Sequence, residues 1–294
     1  MIDRACVSLT DACNLRCRYC HFRDKQVAGT RMPLGEAASW VRKINEYCHE
    51  RGLARFKLGI VGSGEPLLEL CTILAMIEAA EADPANAIAF YTITNGTLAT
   101  TEALTRLREH RETLSVCFSL DGPEAVHDTG RSSFDRAMQG ISNYREVYRK
   151  APAINATVNL QTVRHADEVV RFFVEEGLAT VTFSRLVDCD DPDLAITREQ
   201  FDGFMAYAKS QGLASRQFRG EATYDCTMYG RLCGVGRTNV FITPEGVYPC
   251  GRFYRNEAYR LGGPDSSLAA IEQACSAIEP VDDGKCYYDE RVLA

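Results

Sequence analysis

Six short apolar runs, each followed by a stretch of helical periodicity, predict an α/β chain built on a parallel sheet. A second observation predicts a smaller unit behind it: past residue 187 the alternation stops and cysteines gather toward the C-terminus. A third places the chemistry. Polar motifs follow the first four runs, at the carboxyl ends of the strands, where parallel α/β barrels collect their sites on loops.

Residues 4–10, RACVSLT, form the first expected strand. A helix follows over 35–51, because Trp40, Val41, Ile44, Tyr47 and Cys48 repeat at three- and four-residue steps. FKLGIVG (56–62) is the second strand, and Leu70, Ile73, Leu74 and Ile77 mark one face of the next helix. IAFYTIT (88–94), LSVCFSL (114–120), INATVNL (154–160) and ATVTFSR (179–185) complete the six. Helices are expected around 101–110, 133–150 and 166–177. After the acidic turn DCDDPD, residues 196–212 predict one more helix, with a Thr N-cap and Gly212 at its end. From about residue 220 loops dominate, with a hairpin expected in NVFITPEGVYPCG. The domain boundary falls near 212–220, giving units of 1–212 and 213–294.

The formal net charge is −7 and no basic run occurs, which argues against a nucleic-acid partner. No stretch reaches the roughly 20 apolar residues of a membrane span. The opening MIDRACVSLT lacks the pattern of a secretory signal, so a reducing cytoplasm is expected. The 13 cysteines then need an account other than disulfides. Cys48, Cys71 and Cys117 fall on helix- or strand-patterned stretches and are expected to be plain core hydrophobes, and Cys6 on strand one is expected to pack likewise.

Cys13, Cys17 and Cys20 lie on one short loop behind the first strand. Disulfide, zinc and iron–sulfur chemistry compete for such a triplet. Structural zinc usually shows cysteine pairs, whereas three thiolates can hold three irons of a [4Fe–4S] cube and leave the fourth open. The C-x3-C-x2-C spacing, with Tyr19 before the last cysteine, resembles the radical S-adenosylmethionine (SAM) superfamily. That resemblance implies a cluster whose open iron is chelated by the amino and carboxylate groups of SAM. It also implies reductive cleavage of SAM to a 5′-deoxyadenosyl radical that abstracts a substrate hydrogen.

GSGEP (62–66) resembles the family's G-G-E-P loop, with Ser63 where a glycine is usual. Gly62 and Gly64 are expected to let the backbone approach the ligand, and Glu65 to accept a charge-assisted bond from the SAM ammonium. Thr94 and Asn95 in TNG, and Ser119 and Asp121 in SLDGPEAVHD, look like the ribose- and carboxylate-facing segments of peptide-modifying members. Asn159 and Leu186 would line the adenosine pocket, or be ordinary strand residues. The resemblance covers residues 4 to about 187 and implies a partial (β/α)6 TIM-like barrel.

Cys226-x6-Cys233-x16-Cys250 resembles the auxiliary-cluster domain called SPASM or, when shortened, Twitch. The C-x2-C pair of a full SPASM domain is absent, so a Twitch-type domain with one auxiliary [4Fe–4S] cluster is expected. Its ligands would be Cys226, Cys233, Cys250 and Cys286. Cys275 falls on an amphipathic helical stretch and is the weaker candidate. Zinc on the same four cysteines is the alternative. Cys189, flanked by Asp188, Asp190 and Asp191, is either an incidental loop cysteine or a hydrogen-atom donor, as in radical SAM peptide epimerases. The aspartates would grip a cationic substrate group or simply be solvated, and His21 and Arg23 would adjust the electrostatics of the first loop.

The implied activity is modification of a ribosomally synthesised precursor peptide or protein by cross-linking, epimerisation or oxidation, with flavodoxin or ferredoxin as electron donor. Gly251 stands where sulfatase-maturing members have Asp, which disfavours formylglycine formation. The alternative is a dehydrogenase or cyclase acting on a small molecule such as an aminocyclitol or nucleotide. It draws on the compact size and the lack of a recognition domain before strand one. A non-catalytic electron-transfer module is a third class, in which a SAM-binding set would have no use.

Overall fold

The computed structural model describes residues 1–178, 180–213, 217–218, 233–282 and 285–293. Strands β1 (Arg4–Val7), β2 (Phe56–Ile60), β3 (Ile88–Thr94), β4 (Leu114–Ser119), β5 (Ala153–Val158) and β6 (Val181–Arg185) pair in chain order, each parallel to the next. β6 ends the sheet and does not return to β1, so the barrel is open. Most strands stop short of their apolar runs. Ser8 to Thr10, Val61 and Gly62, and Asn159 leave the sheet to build loops at its carboxyl edge.

Alternation within the strands separates two faces. On β3, Ile88, Phe90, Thr92 and Thr94 are buried, while Ala89, Tyr91 and Ile93 are only half-buried. The buried face packs beneath α1 (Leu34–Arg51), α2 (Leu70–Glu81), α3 (Thr101–Glu109), α5 (Phe134–Tyr148) and α7 (Ala166–Glu175). α1 ends at Gly52, whose φ of +64° and N–H bonds to the carbonyls of Cys48 and His49 close the last turn. α8 (Arg198–Ser210) begins with a reciprocal capping box between Thr197 and Gln200.

Two helices lie outside the sequence expectation: α4 (Glu124–Gly130) and α6 (Leu160–Arg164). Both are too short to show a period. α6 is set by Asn159, whose Oδ1 accepts from the N–H groups of Gln161 and Thr162 and so ends β5. Of the four cysteines expected in the core, Cys6, Cys71 and Cys117 are not fully buried. Cys71 is exposed, because the buried stripe of α2 runs through Ile73, Leu74, Met76, Ile77 and Ala80. Cys117 is half-buried on the inner face of β4, and only Cys48 is fully packed.

The hairpin forms as β7 (Asn239–Thr243) and β8 (Gly246–Tyr248), turning on Pro244 and Glu245. β7 pairs in parallel with β1, from Arg4 opposite Asn239 to Val7 opposite Ile242, and so extends the barrel sheet. α9 (Leu268–Ser276) packs against α1. A second core of Phe22, Val235, Phe241, Tyr248, Phe253, Tyr254 and Tyr287 joins the C-terminal segment to the residue two past Cys20. Among the described residues no helix is long and apolar enough to cross a membrane.

Candidate active site

The loop carrying Cys13, Cys17 and Cys20 leaves β1 and is held at several points. Asp11, 3% exposed, accepts from Val27 N at 3.1 Å, from Arg255 Nη2 at 2.9 Å, from Tyr254 Oη at 3.1 Å and from Ser63 Oγ. Arg18 N donates to the Gly130 carbonyl at 2.8 Å, and Glu65 N to the Ala12 carbonyl at 2.8 Å. Asn95 Nδ2 donates to Asn14 Oδ1 at 2.9 Å. All three thiols are half-buried and lie within one another's field. Burial raises Cys13 above the usual thiol range and pushes Cys17 up to about 11.

The glycines of GSGEP serve a different neighbour from the one expected. A Cβ on Gly64 would lie 2.3 Å from the Ala12 carbonyl oxygen, and one on Gly62 would lie 2.1 Å from Ser8 Oγ. They admit the cysteine loop itself. Glu65 is 3% exposed, with Oε1 accepting from Thr94 Oγ1 at 2.6 Å and Leu67 N at 3.0 Å, and Oε2 from Asn95 N at 2.9 Å. Thr94 and Asn95 thus spend their donors on Glu65 and the cysteine loop. Burial pushes the Glu65 carboxyl above its usual range, against these hydrogen bonds.

Across the loop lies a second charged group that sequence reasoning missed. Arg131 Nε donates to Asp121 Oδ2 at 3.0 Å, and its Nη2 donates to Thr157 Oγ1 at 3.2 Å. Asp121, fully buried, also accepts from Tyr19 Oη and from Thr157 N at 2.8 Å. The Arg131 cation stands 5.3 Å from the Tyr19 ring centroid and bears electrostatically on Cys13, Cys17 and Glu65. One signal was available: the arginine follows HDTG in the fourth carboxyl-end segment and precedes Ser132 and Ser133, which take φ of +78° and +64°.

Leu186 packs with Tyr19 and Leu194, and Cys17 and Cys189 border the same small cluster. Asn159 is fully buried and its Nδ2 has no partner among the described residues, while Ser119 is buried at the end of β4. In the C-terminal segment, Cys226 lies outside the described residues. Cys233 and Cys250 border the aromatic core. Cys286 and Cys250 share a neighbourhood with Arg252 and Tyr288, whereas Cys275 is buried on α9 in the main core. A Cβ on Gly251 would lie 2.8 Å from the Phe22 ring, so a side chain at this position would have to displace that ring.

Among the described residues no three His, Cys, Asp or Glu side chains converge on one point, as a single metal ion requires. A cube takes one thiolate per iron, and the all-thiol donor set on one loop suits it. The opposite charges of buried Glu65 and half-buried Arg131 suit a zwitterionic ligand beside it.

The profile of the radical SAM superfamily matches residues 7–173. The chain belongs to that superfamily. Its family cofactors are a [4Fe–4S] cluster and SAM. The radical SAM fold extends over solved structures: anSMEcpe with bound AdoMet superposes at a TM-score of 0.75, 20% identical, over 91% of this chain and 80% of that one. SuiB from Streptococcus suis, bound to precursor peptide SuiA, superposes at 0.69, 15% identical, over 92% and 64%. An uncharacterized protein of Archaeoglobus fulgidus is 24% identical over 300 residues, 95% of this chain and 67% of its own length. At these identities the likeness carries the fold.

Proposed function

We propose that this radical SAM protein modifies a ribosomally synthesised peptide or protein by cross-linking, epimerisation or oxidation. The observation that carries the proposal is the carboxyl-end constellation, in which the thiol loop is flanked by the buried carboxylate of Glu65 and the half-buried guanidinium of Arg131, itself paired with buried Asp121. The peptide class is supported by the fold shared with SuiB bound to its precursor peptide and with anSMEcpe bound to AdoMet and the peptide Cp18Cys.

In this proposal Cys13, Cys17 and Cys20 hold three irons of a cluster. Glu65 receives the ammonium of SAM, and Arg131 balances its carboxylate. Each Glu65 oxygen has about two acceptor positions. Three are filled, and the fourth, on Oε2, stays open for one more donor. Tyr19, Gly64, Thr94, Asn95, Ser119, Asp121, Asn159 and Leu186 shape the pocket. The bound cofactor pair supplies a carbon radical able to take a hydrogen atom from unactivated carbon. Cys189, beside Tyr19, would return a hydrogen atom in an epimerisation. Residues 213–294 form a Twitch-type SPASM domain whose Cys226, Cys233, Cys250 and Cys286 hold an auxiliary [4Fe–4S] cluster. Flavodoxin or ferredoxin serves as electron donor, in the cytoplasm.

The test is anaerobic reconstitution followed by incubation with SAM, dithionite and the short peptides encoded beside the gene. Mass spectrometry should find loss of a hydrogen pair, or deuterium taken from solvent, in one of them. Slow release of 5′-deoxyadenosine with every peptide unchanged, and conversion of an aminocyclitol or nucleotide instead, would move the substrate class to small molecules.

A further inference from the structure

Arg252, two residues past Cys250, carries a guanidinium that is only 7% exposed, and its donors run in three directions. Nε donates to Asp188 Oδ2 at 2.6 Å and Nη2 to Asp188 Oδ1, a two-pronged clamp on one carboxylate. Nη1 donates to Asp289 Oδ1 at 2.7 Å and to the Cys286 sulfur at 3.0 Å. The Tyr288 ring lies 4.0 Å from the cation. Lys25, just past the first cysteine loop, donates its ammonium to the Arg252 carbonyl at 2.5 Å.

The bond to sulfur is the informative one. A neutral thiol is a weak acceptor, and a buried guanidinium already holding two carboxylates gains little from it. A thiolate carrying cluster charge is a far better acceptor. Hydrogen bonds to cluster sulfurs and net charge nearby are among the terms that set the potential of an iron–sulfur centre. Asp188 holds φ at +54°, uncommon for a non-glycine residue, so the clamp fixes the loop as well as the cation. The next residue, Cys189, borders the cluster of Tyr19 and Leu186 beside Cys17. One guanidinium therefore links the sulfur of Cys286 to the loop that faces the first thiol site.

We propose that Arg252 is a positioning residue that raises the reduction potential of the auxiliary cluster by donating to the Cys286 sulfur, while Asp188 and Asp289 offset part of its charge. This rests on Cys286 being a ligand of that cluster. A buried cation at the sulfur favours the reduced state, which carries one more negative charge.

The experiment is a redox titration of the reconstituted full chain followed by electron paramagnetic resonance, with SAM present to mark the first cluster. Arg252→Gln should shift the auxiliary midpoint downward by about tenfold in the reduction equilibrium, near 59 mV for a one-electron couple, and leave the first midpoint in place. Asp188→Asn, which keeps the guanidinium and removes an anion, should shift it upward. An Arg252→Gln protein with both clusters and an unmoved auxiliary midpoint overturns the proposal. If that variant does not retain its second cluster, Asp188→Asn decides, and an unmoved or lowered midpoint there overturns it. A wild type that binds only about four irons removes the auxiliary cluster itself, and the role of Arg252 with it, before either variant is compared.

Discussion

Glu65 is a carboxylate with three protein donors and one acceptor position to spare. Glu65→Gln keeps the shape, loses the charge, and puts an amide where one oxygen met a donor. A hydrogen bond to a charged group contributes about 1.5–3 kcal/mol, so SAM affinity should fall roughly ten- to hundredfold. Iron content should stay at the wild-type level, since no cluster ligand is touched; equilibrium binding of SAM beside an iron assay separates the two. His127 carries a prediction about pH. It is 1% exposed, its Nδ1 accepts from Asp121 N at 3.3 Å, and burial lowers its pKa below the ordinary 6.5. The fold therefore holds the neutral ring, and unfolding releases a group that protonates more readily. Its contribution is complete above 6.5 and is lost as pH falls through the lowered folded value. Thermal melts should show Tm dropping on acidification below about pH 6.5, and His127→Gln should flatten part of that drop.

At the scale of elements, the loop after β2 and the loop after β1 are two backbones pressed together, and glycine makes the contact possible. Gly64→Ala puts a methyl 2.3 Å from the Ala12 carbonyl oxygen, which cannot yield without moving the stretch that leads to Cys13. A loss of about 1–3 kcal/mol is expected, with weaker iron retention. Gly35, in the first turn of α1, faces open space, and Gly35→Ala should add about 0.4–1 kcal/mol instead. Denaturant midpoints of the two variants, measured side by side, check the contrast. The same contact marks the limit of what sequence shows. A missing Cβ is visible in GSGEP, but the backbone that fills its place is not, so the glycines read as ligand-facing. Long elements were legible because their pattern persists: the stripe of Trp40, Ile44 and Cys48 on α1, the seven-residue run of β3. α4 and α6, of 7 and 5 residues, offer no such repeat. Arg131 stayed hidden for a related reason, since a single arginine outside a spaced motif looks like any surface charge until the fold sets it against Asp121.

The molecule as a whole ties its two cysteine regions together more closely than their separation in sequence suggests. β7 covers the edge that β1 would otherwise expose, and Phe22 packs over Gly251 and Phe241. Arg255 and Tyr254 supply two of the donors on Asp11, a side chain 1% exposed only two residues before Cys13. Cutting the chain after residue 212, at the boundary expected from composition, removes all three. β1 becomes an open edge available to other chains. Buried Asp11 loses its half-buried cationic partner, and breaking a fully buried pair costs about 3–5 kcal/mol. That is a large share of the roughly 5–15 kcal/mol by which domains are stable. Residues 1–212 alone should therefore aggregate or melt without cooperativity, and should fail to retain iron on Cys13, Cys17 and Cys20 although all three are present. The full-length Cys250→Ala variant provides the comparison: it keeps β7 and the Asp11 contacts, so it should retain the first cluster. Calorimetry and iron analysis of the two proteins decide the point. A soluble 1–212 fragment with a sharp transition and wild-type iron at the first site would show that the barrel stands without its C-terminal partner.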